Sequence, residues 1–564
     1  AVPDVARFPL VANLGLHMAI RLRPRADDPK RRARYAVIPL GGALQRFVAL
    51  PGEGTRRYVL LEDVVRIFAD RLFPGERVAE AVVFRVTRNA GMNVDEDGAS
   101  DLLAEMEGVL DARTFSECIR LEMEAQATKT MADFLRRALR VGGEEVYTTR
   151  APVSLGDYMA LAGIEADESL RYAGMPPQAS PSVDASLPMF QQIAKADILL
   201  CHPYESFEPV LRFLREAASN PDVLAIKQVL YRTSRDSPIV EALRQAAASG
   251  KYVTVLVEVK ARFDEARNID WARRLEMDGV QVIYGVKGLK THAKICMVVR
   301  REPGGIVRYM HFGTGNYNER TAKLYSDISL FTCDEDFGAD SSAFLNAVAG
   351  YSTPQAFRRL AVAPIGLREK LIELIEAETE RRRQGQKGRI DAKMNSLADT
   401  DVIDALYRAS QAGVKIRLNV RGICCLRPGV KGLSENIQVV SIVDRFLEHA
   451  RILVFHHGGD ERGFISSADW MPRNLRRRVE LLVPVEALGC RRKLIGILET
   501  CLKGTCKARR LLPDGGHERL VAGEKPVRTQ WALYEMVTKA LASGRRSRRN
   551  VFEPHRPERR QSKG

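Results

Sequence analysis

The sequence lacks several features that would assign it to a functional class at once. Its 564 residues contain no run of about 18 apolar residues, so we expect no transmembrane helix. The first residues show neither the basic nor the apolar region of a secretory signal, and they do not start with Met, as in a fragment of a longer chain. No Gly-x-x-x-x-Gly-Lys-Ser/Thr motif occurs, so any use of a nucleoside triphosphate is not of the Walker type.

Cysteine pairs of the metal-binding kind are also missing. The nine cysteines are odd in number and form no Cys-x-x-Cys pair. This pattern does not fit a disulfide framework. It favours buried, reduced thiols in a cytoplasmic protein.

Acidic residues are fewer than basic ones. Lys and Arg number 87 against 71 Asp and Glu, which gives a formal charge of +16 and an isoelectric point near 9.5. Hydrophobic residues make up 45% and charged residues 28%, as in ordinary globular proteins, so global disorder is excluded. The positive charge predicts a polyanionic partner, which composition alone leaves open between nucleic acid, phosphates and an anionic membrane surface.

The chain divides into a first α+β region and a longer region of alternating strands and helices. Residues 1–150 contain strand-like runs with helical patterns between them, and the alternation in 119–124 places Ile119, Leu121 and Met123 on one face. A connector with five prolines between 151 and 190 marks a boundary. From 190 onward strands and helices alternate, which predicts right-handed crossovers and a mostly parallel sheet covered on both faces.

The second region has the pattern of an internal duplication. After a helical bridge at 366–383, the strand and helix pattern of the first half returns. Each half carries a His-x-basic element, His292-x-Lys294 in the first and His449-x-Arg451 in the second, and a strand end rich in small residues follows each. Such a duplication predicts two similar domains that face each other, with a site on the pseudo-twofold axis.

The element His292-x-Lys294 is the strongest candidate for chemistry. On a strand both side chains lie on the same face, because side chains alternate with a period of two. A cation beside the imidazole lowers its pKa and keeps it neutral, which is the nucleophilic form, and the same lysine can neutralise a phosphoryl oxygen. The small residues at 313–315 let the backbone approach a phosphate, and Asn316 beside them can orient the imidazole, although this segment alone also fits a simple turn.

Arginines follow strands at the edge where ligands bind to open parallel sheets. Arg232 and Arg262 end the first two strands of the first half, and Arg421 ends the equivalent strand of the second half. Their guanidinium groups fit a phosphate clamp, since each offers a fork of donors. A surface ion pair with Asp236 or Asp264 is the structural alternative for either of the first two arginines taken singly.

Together these motifs resemble the type 1 family of polyphosphate kinases. The resemblance covers nearly the whole chain and rests on independent motifs in both halves. The motifs are His202-Pro203-Tyr204-Glu205-Ser206-Phe207, Leu230-Tyr231-Arg232, Ala261-Arg262-Phe263-Asp264-Glu265, Gly288-Leu289-Lys290-Thr291-His292-Ala293-Lys294, Gly313-Thr314-Gly315-Asn316-Tyr317-Asn318, Lys393-Met394-Asn395-Ser396-Leu397, Arg421-Gly422-Ile423-Cys424, Ser441-Ile442-Val443-Asp444-Arg445-Phe446-Leu447-Glu448-His449 and Ser466-Ser467-Ala468-Asp469-Trp470-Met471.

The resemblance implies a multidomain fold of the α/β and α+β classes, in which an α+β head domain precedes two tandem phospholipase-D-like α/β domains. We place the head domain at 1–178, the two phospholipase-D-like domains at 179–359 and 360–543, and a basic disordered tail outside the shared pattern at 544–564. Members of the family begin with a further helical domain that helps to hold the adenine base, and we recognise no counterpart of it in the printed residues.

For the site, the resemblance implies reversible transfer of the γ-phosphate of ATP to the end of inorganic polyphosphate. His292 is implied as the residue that ATP phosphorylates, and Lys294 and His449 are expected to assist it. Arg232 and Arg262 match the positions of the family's Mg²⁺–phosphate site, and since arginine cannot ligate a cation, we expect them to hold the phosphate oxygens that carry Mg²⁺. The residues expected to bind nucleotide or phosphate are Tyr325, Arg421, His449 and Asn316.

Two alternative functions stay open at this point. A phospholipase-D-type phosphodiesterase or nuclease usually has an Asp five residues after the Lys of its His-x-Lys motif, and this sequence has Val299 and His456 at those positions. A non-catalytic polyanion-binding protein would account for the charge but not for two opposed His-x-basic elements. The resemblance implies ATP, ADP and inorganic polyphosphate as partners and a homodimer or homotetramer. We expect no nucleic acid as a partner and a cytoplasmic location, with peripheral membrane association left open.

Overall fold

Two compact units make up the chain, Ala1–Ala173 and Gly174–Gly564. The computed structural model describes residues 8–24, 33–42, 44–52, 57–89, 102–163, 168–170, 172–234, 236–259, 265–286, 288–350, 356–521 and 526–549. In these ranges no helix combines the length and the apolar character that crossing a membrane requires.

The first unit is an α+β domain built on one largely antiparallel sheet. Its strands are β1 (Leu16–Leu22), β2 (Arg34–Leu40), β3 (Phe47–Leu50), β4 (Arg57–Leu60), β5 (Val78–Arg88), β6 (Cys118–Glu124) and β7 (Val146–Thr149). Its helices are α1 (Leu61–Ile67), α2 (Ala69–Leu72), α3 (Leu102–Thr114), α4 (Lys129–Leu139) and α5 (Met159–Ala162). The sheet has the order β2-β1-β5-β6-β7, with β6 and β7 parallel, while β3 and β4 form a separate hairpin.

Hydrophobic cores lie on both faces of this sheet, because its strands alternate apolar residues to either side. One core contains Phe84 of β5 together with Phe134 and Leu135 of α4. The other contains Met18 and Ile20 of β1. Helix α4 begins where the Thr128 hydroxyl accepts a hydrogen bond from the Met131 N–H at 3.3 Å, the usual form of an N-terminal cap.

The alternation predicted for 119–124 is wrong at its first position. Leu121 and Met123 are fully buried, but Ile119 is exposed and Cys118 is buried in its place. The register between β5 and β6 shifts here, since Thr87 pairs with Arg120 and Arg88 with Cys118. The extra residue of this β-bulge turns the Ile119 side chain toward solvent.

The first half of the second unit holds an eight-stranded sheet with helices packed on it. The strands of this half are β8 (Ile198–His202), β9 (Val223–Leu230), β10 (Tyr252–Val257), β11 (Gln281–Tyr284), β12 (Lys290–Thr291), β13 (Ile295–Glu302), β14 (Gly305–Gly313) and β15 (Tyr325–Thr332), and all of them except β12 belong to this sheet. Its helices are α6 (Met189–Lys195), α7 (Glu208–Ser219), α8 (Pro238–Ala248), α9 (Glu265–Met277) and α10 (Glu335–Val348).

The second half repeats this plan. Its strands are β16 (Ala361–Ala363), β17 (Arg389–Met394), β18 (Lys415–Val420), β19 (Ile437–Ile442), β20 (Leu447–Glu448), β21 (Ile452–Phe455), β22 (Arg462–Ser466), β23 (Arg478–Val485), β24 (Ala508–Leu511) and β25 (His517–Arg519). Its helices are α11 (Leu367–Arg383), α12 (Thr400–Gln411), α13 (Pro472–Arg477), α14 (Leu488–Leu502) and α15 (Thr529–Arg549). The sheet of the first half has the strand order β11-β10-β9-β13-β14-β15-β20, and β8 also pairs with β15. The sheet of the second half has the order β12-β23-β22-β21-β17-β18-β19-β24-β25, and β16 also pairs with β23.

Both sheets are mixed, so the prediction of mostly parallel sheets is wrong. Strands β9, β10 and β11 run parallel, but the pairs β9–β13, β13–β14, β14–β15 and β15–β8 are antiparallel. In the second half, β17, β18 and β19 run parallel, and the pairs β17–β21, β21–β22 and β22–β23 are antiparallel. Helices α8 and α9 provide the long crossovers that parallel neighbours need, whereas two residues join β13 to β14. The alternation of strands and helices therefore predicts correctly only the part of each sheet in which helices connect parallel strands.

Each half also lends a short strand to the sheet of the other half. Strand β12 of the first half pairs in parallel with β23 of the second, and β20 of the second half pairs in parallel with β15 of the first. One continuous hydrophobic core joins the halves, since Phe312 and Phe344 lie in the same cluster as Ile452 and Leu494. The two borrowed strands directly precede His292 and His449, so this exchange places both histidines at the junction.

The C-terminal helix α15 continues through Arg549, six residues into the segment that we expect to be a disordered tail. Residues 550–564 of that segment lie outside the described residues. Near its start, α15 is fixed to the second half by Gln530, whose side chain bonds both the N–H and the C=O of Phe446 at 2.9 Å.

Candidate active site between the two halves

His292 lies in a break between β12 and β13 rather than within a regular strand, which corrects the sequence-based expectation. The N–H groups of His292 and Ala293 both bond the carbonyl oxygen of Val479, at 2.8 and 3.0 Å. The carbonyl oxygen of Lys294 accepts a hydrogen bond from the Gly313 N–H at 3.0 Å, so the antiparallel pairing of β13 with β14 begins there. The break therefore carries the His292 imidazole across to the second half of the unit.

The Nδ1 atom of His292 is held by Glu480, a residue of the opposite half. Both carboxylate oxygens of Glu480 lie 2.9 Å from Nδ1, and Glu480 is fully buried. The carboxylate also accepts hydrogen bonds from the Ser467 hydroxyl at 2.5 Å and the Asn474 amide at 2.7 Å. A carboxylate only accepts, so it fixes the tautomer with the proton on Nδ1 and leaves the lone pair on Nε2.

His449 is held in the mirror-image way. Its Nδ1 lies 2.8 and 3.0 Å from the carboxylate oxygens of Asp327, which belongs to the first half. The Thr314 hydroxyl donates to the same carboxylate at 2.6 Å. Each half therefore supplies a histidine that a carboxylate of the other half orients, which confirms the expected pseudo-twofold relation of the two His-x-basic elements.

The hydroxyl groups of Ser467 and Thr314 extend this symmetry. Each donates to its carboxylate and also accepts a backbone N–H, from Leu481 at 2.9 Å and from Ile328 at 3.0 Å respectively. Gly315 makes room for this arrangement, since a Cβ atom at that position would overlap the carboxylate of Asp327. The small residues predicted to admit a phosphate thus also admit the carboxylate that holds His449.

Burial and neighbouring cations keep His292 neutral. Burial lowers the pKa of the His292 imidazole well below its usual value, and the positive charges of Lys294, Arg478 and Arg451 lower it further. The effect of Lys294 agrees in direction with the sequence-based expectation, although desolvation is the larger cause. The neutral imidazole is the form that can attack an electrophile.

Lys294 is itself buried at the centre of the site. Its Nζ donates a hydrogen bond to the carbonyl oxygen of His292 and lies 5.4 Å from the centre of the Tyr231 ring. Burial lowers the pKa of Lys294 well below its usual value, while the nearby Glu480 carboxylate raises it. A buried ammonium group is stabilised further by an anion that binds beside it.

The two histidines differ at Nε2. In the described part of the chain, Nε2 of His292 has no hydrogen-bond partner. Nε2 of His449 lies 3.1 Å from Nη1 of Arg451, whose guanidinium is anchored by Asp469 at 3.0 Å. The lone pair of His292 is therefore the one left available for attack.

Arg232 and Tyr325 lie beside the two histidines. The Arg232 guanidinium packs 5.5 Å from the Tyr231 ring, and that ring meets the imidazole of His292 edge-on at 5.0 Å. The ring of Tyr325 lies 5.4 Å from that of His449. Both residues are half-buried. The structure thus brings them to the same junction as the histidines.

Arg421 and Asn316 complete the set of predicted residues that the structure describes. The Nε of Arg421 donates to the side-chain oxygen of Asn395 at 3.0 Å, which orients the guanidinium at the end of β18. Burial lowers the pKa of Arg421, and the charge of Arg451 nearby lowers it further. Asn316 follows Gly315 directly, and its buried Oδ1 has no hydrogen-bond partner in the described part of the chain.

Arg262 lies outside the described residues, so its predicted place in the phosphate clamp stays a prediction. The described residues contain no group of three or more His, Cys, Asp and Glu side chains arranged to hold a metal ion. Mg²⁺ usually keeps several waters and binds through few carboxylates plus substrate phosphates. The described residues therefore do not by themselves form a resident magnesium site.

Sequence reasoning missed the carboxylates that orient the histidines. Asp327 and Glu480 lie 35 and 31 residues after their nearest upstream His-x-basic histidine, and each binds the histidine of the other half. The available signal was a single acid inside a strand that is otherwise buried, since an unpaired charge there would be unstable. Arg478, which lowers the pKa of His292, also went unnoticed because it begins a strand on the opposite half.

Comparison with known proteins assigns the family. Three family models match the chain, described as polyphosphate kinase middle domain (residues 1–161), C-terminal domain 1 (188–354) and C-terminal domain 2 (360–530). The polyphosphate kinase of Rhodopirellula baltica is 49% identical over 98% of this chain and 73% of its own length, and that of Halalkalibacterium halodurans is 45% identical over 96% and 77%.

A solved structure agrees with these matches. The crystal structure of polyphosphate kinase from Porphyromonas gingivalis superimposes with a TM-score of 0.81 at 34% identity, over 95% of this chain and 80% of that chain. The multidomain fold expected from the sequence, an α+β domain followed by two similar α/β domains, is confirmed. The chain belongs to the polyphosphate kinase family, whose members are phosphotransferases.

Proposed function

We propose that the protein transfers the γ-phosphate of ATP reversibly to the end of inorganic polyphosphate through a phosphohistidine at His292. The family names the reaction class, and the site geometry supports the covalent route. One imidazole has its proton fixed on Nδ1 by Glu480, its charge suppressed by burial, and its Nε2 lone pair available.

In the first step Nε2 of His292 attacks the γ-phosphorus of ATP. An N–P bond forms, the bond between that phosphorus and the β,γ-bridging oxygen breaks, and ADP leaves. The Nδ1 proton stays shared with Glu480, so the imidazolium character of the phosphorylated ring is stabilised without a proton leaving the site. In the second step a terminal oxygen of polyphosphate attacks the same phosphorus and the N–P bond breaks.

Cations of both halves stabilise the charge that spreads over the transferred group. Lys294 is buried against His292, Arg232 lies beyond Tyr231, and Arg421 lies at the end of β18. Loss of one such contact is expected to slow the transfer by about 10² to 10³, as for other fixed donors that face developing negative charge. His449 and Tyr325 would hold the nucleotide or phosphate from the second half, with Asn316 beside them.

The observation that carries this proposal is the difference between the two histidines at Nε2. In His292 this atom has no partner among the described residues, whereas in His449 it faces Arg451 at 3.1 Å. The assignment therefore predicts that His292 is the residue phosphorylated and that His449 supports it.

Incubation with γ-labelled ATP tests this assignment. We expect the wild-type protein to carry an acid-labile, alkali-stable label, and His292→Ala to carry none. His449→Ala is the matched control, since it removes the mirror-image imidazole, and it should still be labelled at a reduced rate. Equal labelling of His292→Ala and the wild type would show that the nucleophile is another residue.

Several finer expectations are part of the same proposal. Mg²⁺ would enter bound to the phosphates of ATP, Arg262 would join the phosphate clamp, and the protein would act as a homodimer or homotetramer in the cytoplasm. Chelation of Mg²⁺ should then abolish labelling by ATP while leaving the unfolding temperature unchanged, since the described residues form no structural metal site.

A further inference from the structure

The hairpin of β24 and β25 adds a basic edge to the second sheet, next to the candidate active site. Strand β24 pairs antiparallel with β19, so that Ala508 lies opposite Ile442 and Arg509 opposite Ser441. The N–H of Val443 bonds the carbonyl of Lys507 at 3.0 Å, which fixes the start of the hairpin at the end of β19. Strands β18 and β19 run parallel, so this is also the end at which Arg421 follows β18.

Two arginines face each other on this hairpin. Arg509 of β24 pairs directly with Arg519 of β25, and both side chains are exposed. Like charges in directly opposite positions of an antiparallel pair are destabilising unless a counter-charge lies between them. In the described part of the chain, no carboxylate forms an ion pair with either arginine. We call Arg509 and Arg519 the arginine row.

The other face of the same hairpin has ordinary charge pairing. Arg510, the next residue of β24, lies opposite Glu518, and their side chains form an ion pair at 3.4 Å. Successive residues of a strand point to opposite faces, so Arg509 and Arg510 project in opposite directions. One face of the hairpin is therefore neutralised within the protein, and the face with the arginine row is not.

The arginine row lies at the end of the second sheet where Arg421 follows β18. Ser441 lies in register between β18 and Arg509, and its hydroxyl donates to the carbonyl oxygen of Arg421 at 3.4 Å. Neighbouring strands lie about 4.8 Å apart, so β24 and β25 place the two arginines about 5 and about 10 Å beyond β19. Arg421 and the arginine row therefore lie at the same end of the second sheet.

We propose that Arg509 and Arg519 bind internal phosphates of a polyphosphate chain whose end lies at His292. The proposal rests on the proposed function, because it gives this surface the same linear polyanion as its ligand. Each guanidinium offers a planar fork of donors that suits phosphate oxygens, and a chain of phosphates between the two arginines supplies the missing counter-charge. On this proposal, only chains that extend beyond Arg421 contact the two arginines.

The test compares Arg509→Gln/Arg519→Gln with Arg510→Gln, which removes one charge from the opposite face of the same hairpin. We expect the double variant to raise the KM for long-chain polyphosphate several-fold and to leave both the KM for tripolyphosphate and the labelling of His292 by ATP unchanged. Arg510→Gln should match the wild type with all three substrates. Arg509→Lys/Arg519→Lys keeps the charge but not the fork, and should restore part of the affinity for the long chain.

Salt dependence provides a second readout that a structural defect would not produce. Each lost contact with a single-stranded polyanion should reduce the slope of log affinity against log salt by about 0.7, hence by about 1.4 for the double variant. The ratio of wild-type to variant affinity for long chains should therefore shrink about sevenfold between about 50 and about 200 mM salt.

The outcomes separate this inference from the function on which it rests. Failure of the wild type to form phosphohistidine or extend polyphosphate would overturn the proposed function. A wild type that does both, together with a double variant that matches Arg510→Gln in KM for long chains and in salt slope, would overturn the arginine row alone. A double variant that loses affinity for tripolyphosphate and long chains equally would also contradict the row, since its effect would then lie at the site itself.

Discussion

Replacing Glu480 by Gln changes one oxygen to an amide nitrogen at the point where the second half of the unit orients His292. The wild-type carboxylate accepts hydrogen bonds from three donors: the Nδ1–H of His292, the Ser467 hydroxyl and the Asn474 amide. A glutamine amide has only one accepting oxygen and adds two donor hydrogens. At least one of the three donors must then lose its partner or meet another donor.

The magnitude depends on which side of the amide faces the imidazole. If the amide oxygen faces Nδ1, the tautomer is kept and only the negative charge is lost. Substitution of residues that orient a functional histidine through a hydrogen bond typically lowers activity about 10- to 100-fold. If the nitrogen faces Nδ1, the ring must carry its proton on Nε2, which removes the attacking lone pair, and a loss of about 10⁴ is expected, as for an Asp→Asn change in a catalytic triad. Because Ser467 and Asn474 both compete for the single oxygen, we expect a loss between about 10² and about 10⁴, equivalent to about 3 to 5 kcal/mol in the barrier.

The assay is the single-turnover rate of His292 labelling by γ-labelled ATP, measured beside the unfolding temperature. Asp327→Asn is the matched control, because it makes the same change beside His449, and it should slow labelling less than Glu480→Gln does. A Glu480→Gln variant that folds normally and labels at more than a tenth of the wild-type rate would refute the role assigned to this carboxylate, as would an equal effect of both substitutions.

Two further predictions concern pH and packing. The pKa of His292 in the folded protein lies well below its usual value of 6.5, so between these two values the unfolded chain binds a proton that the folded chain does not. The contribution of His292 to the free energy of unfolding is therefore fully present above pH 6.5. It is lost as the pH falls, by up to about 1.4 kcal/mol per pH unit. Urea unfolding at a series of pH values should therefore show a shallower acid loss for His292→Gln than for the wild type, and equal slopes would contradict the lowered pKa. Gly315→Ala should displace Asp327 from His449 and lower the turnover rate by about 10- to 100-fold, whereas Gly304→Ala, where a Cβ would meet open space, should leave the rate unchanged. A turnover rate for Gly315→Ala equal to that of Gly304→Ala would show that the close approach of Gly315 to Asp327 does not matter.

Much of the fold could be predicted from the sequence because most elements have clear local signals. The apolar or alternating runs at 16–22, 223–230, 415–420, 437–442 and 452–455 predict strands. These runs coincide with β1, β9, β18, β19 and β21. The direction of the strands had no such local signal. The apolar pattern of 295–313 fits parallel or antiparallel pairing equally well, and only the short turn at 303–304 shows that β13 and β14 are antiparallel. The predicted burial of Ile119 is wrong for a related reason. The β-bulge depends on pairing with the partner strand, and the alternating residue types of 119–124 carry no sign of it.

The candidate site could be predicted where one segment carries its chemistry and could not where two distant segments meet. His292 and Lys294 are the first and third positions of one three-residue motif, and its repetition at 449–451 predicted that the two halves face each other. The carboxylates Asp327 and Glu480 belong to strands of the opposite halves, and only the exchange of β12 and β20 brings them to the histidines. Burial as the main cause of the lowered pKa of His292 is likewise a property of the assembled halves.

The position of the phosphoryl group on the protein tests the central claim most directly. The protein labelled with ¹⁵N-histidine is phosphorylated by ATP, and the coupling between ³¹P and ¹⁵N is measured by NMR together with peptide mapping of the modified residue. A phosphoryl group bonded to Nε2 of His292 is the predicted result, because Glu480 occupies Nδ1. A phosphoryl group on Nδ1, on His449, or on no histidine would contradict it.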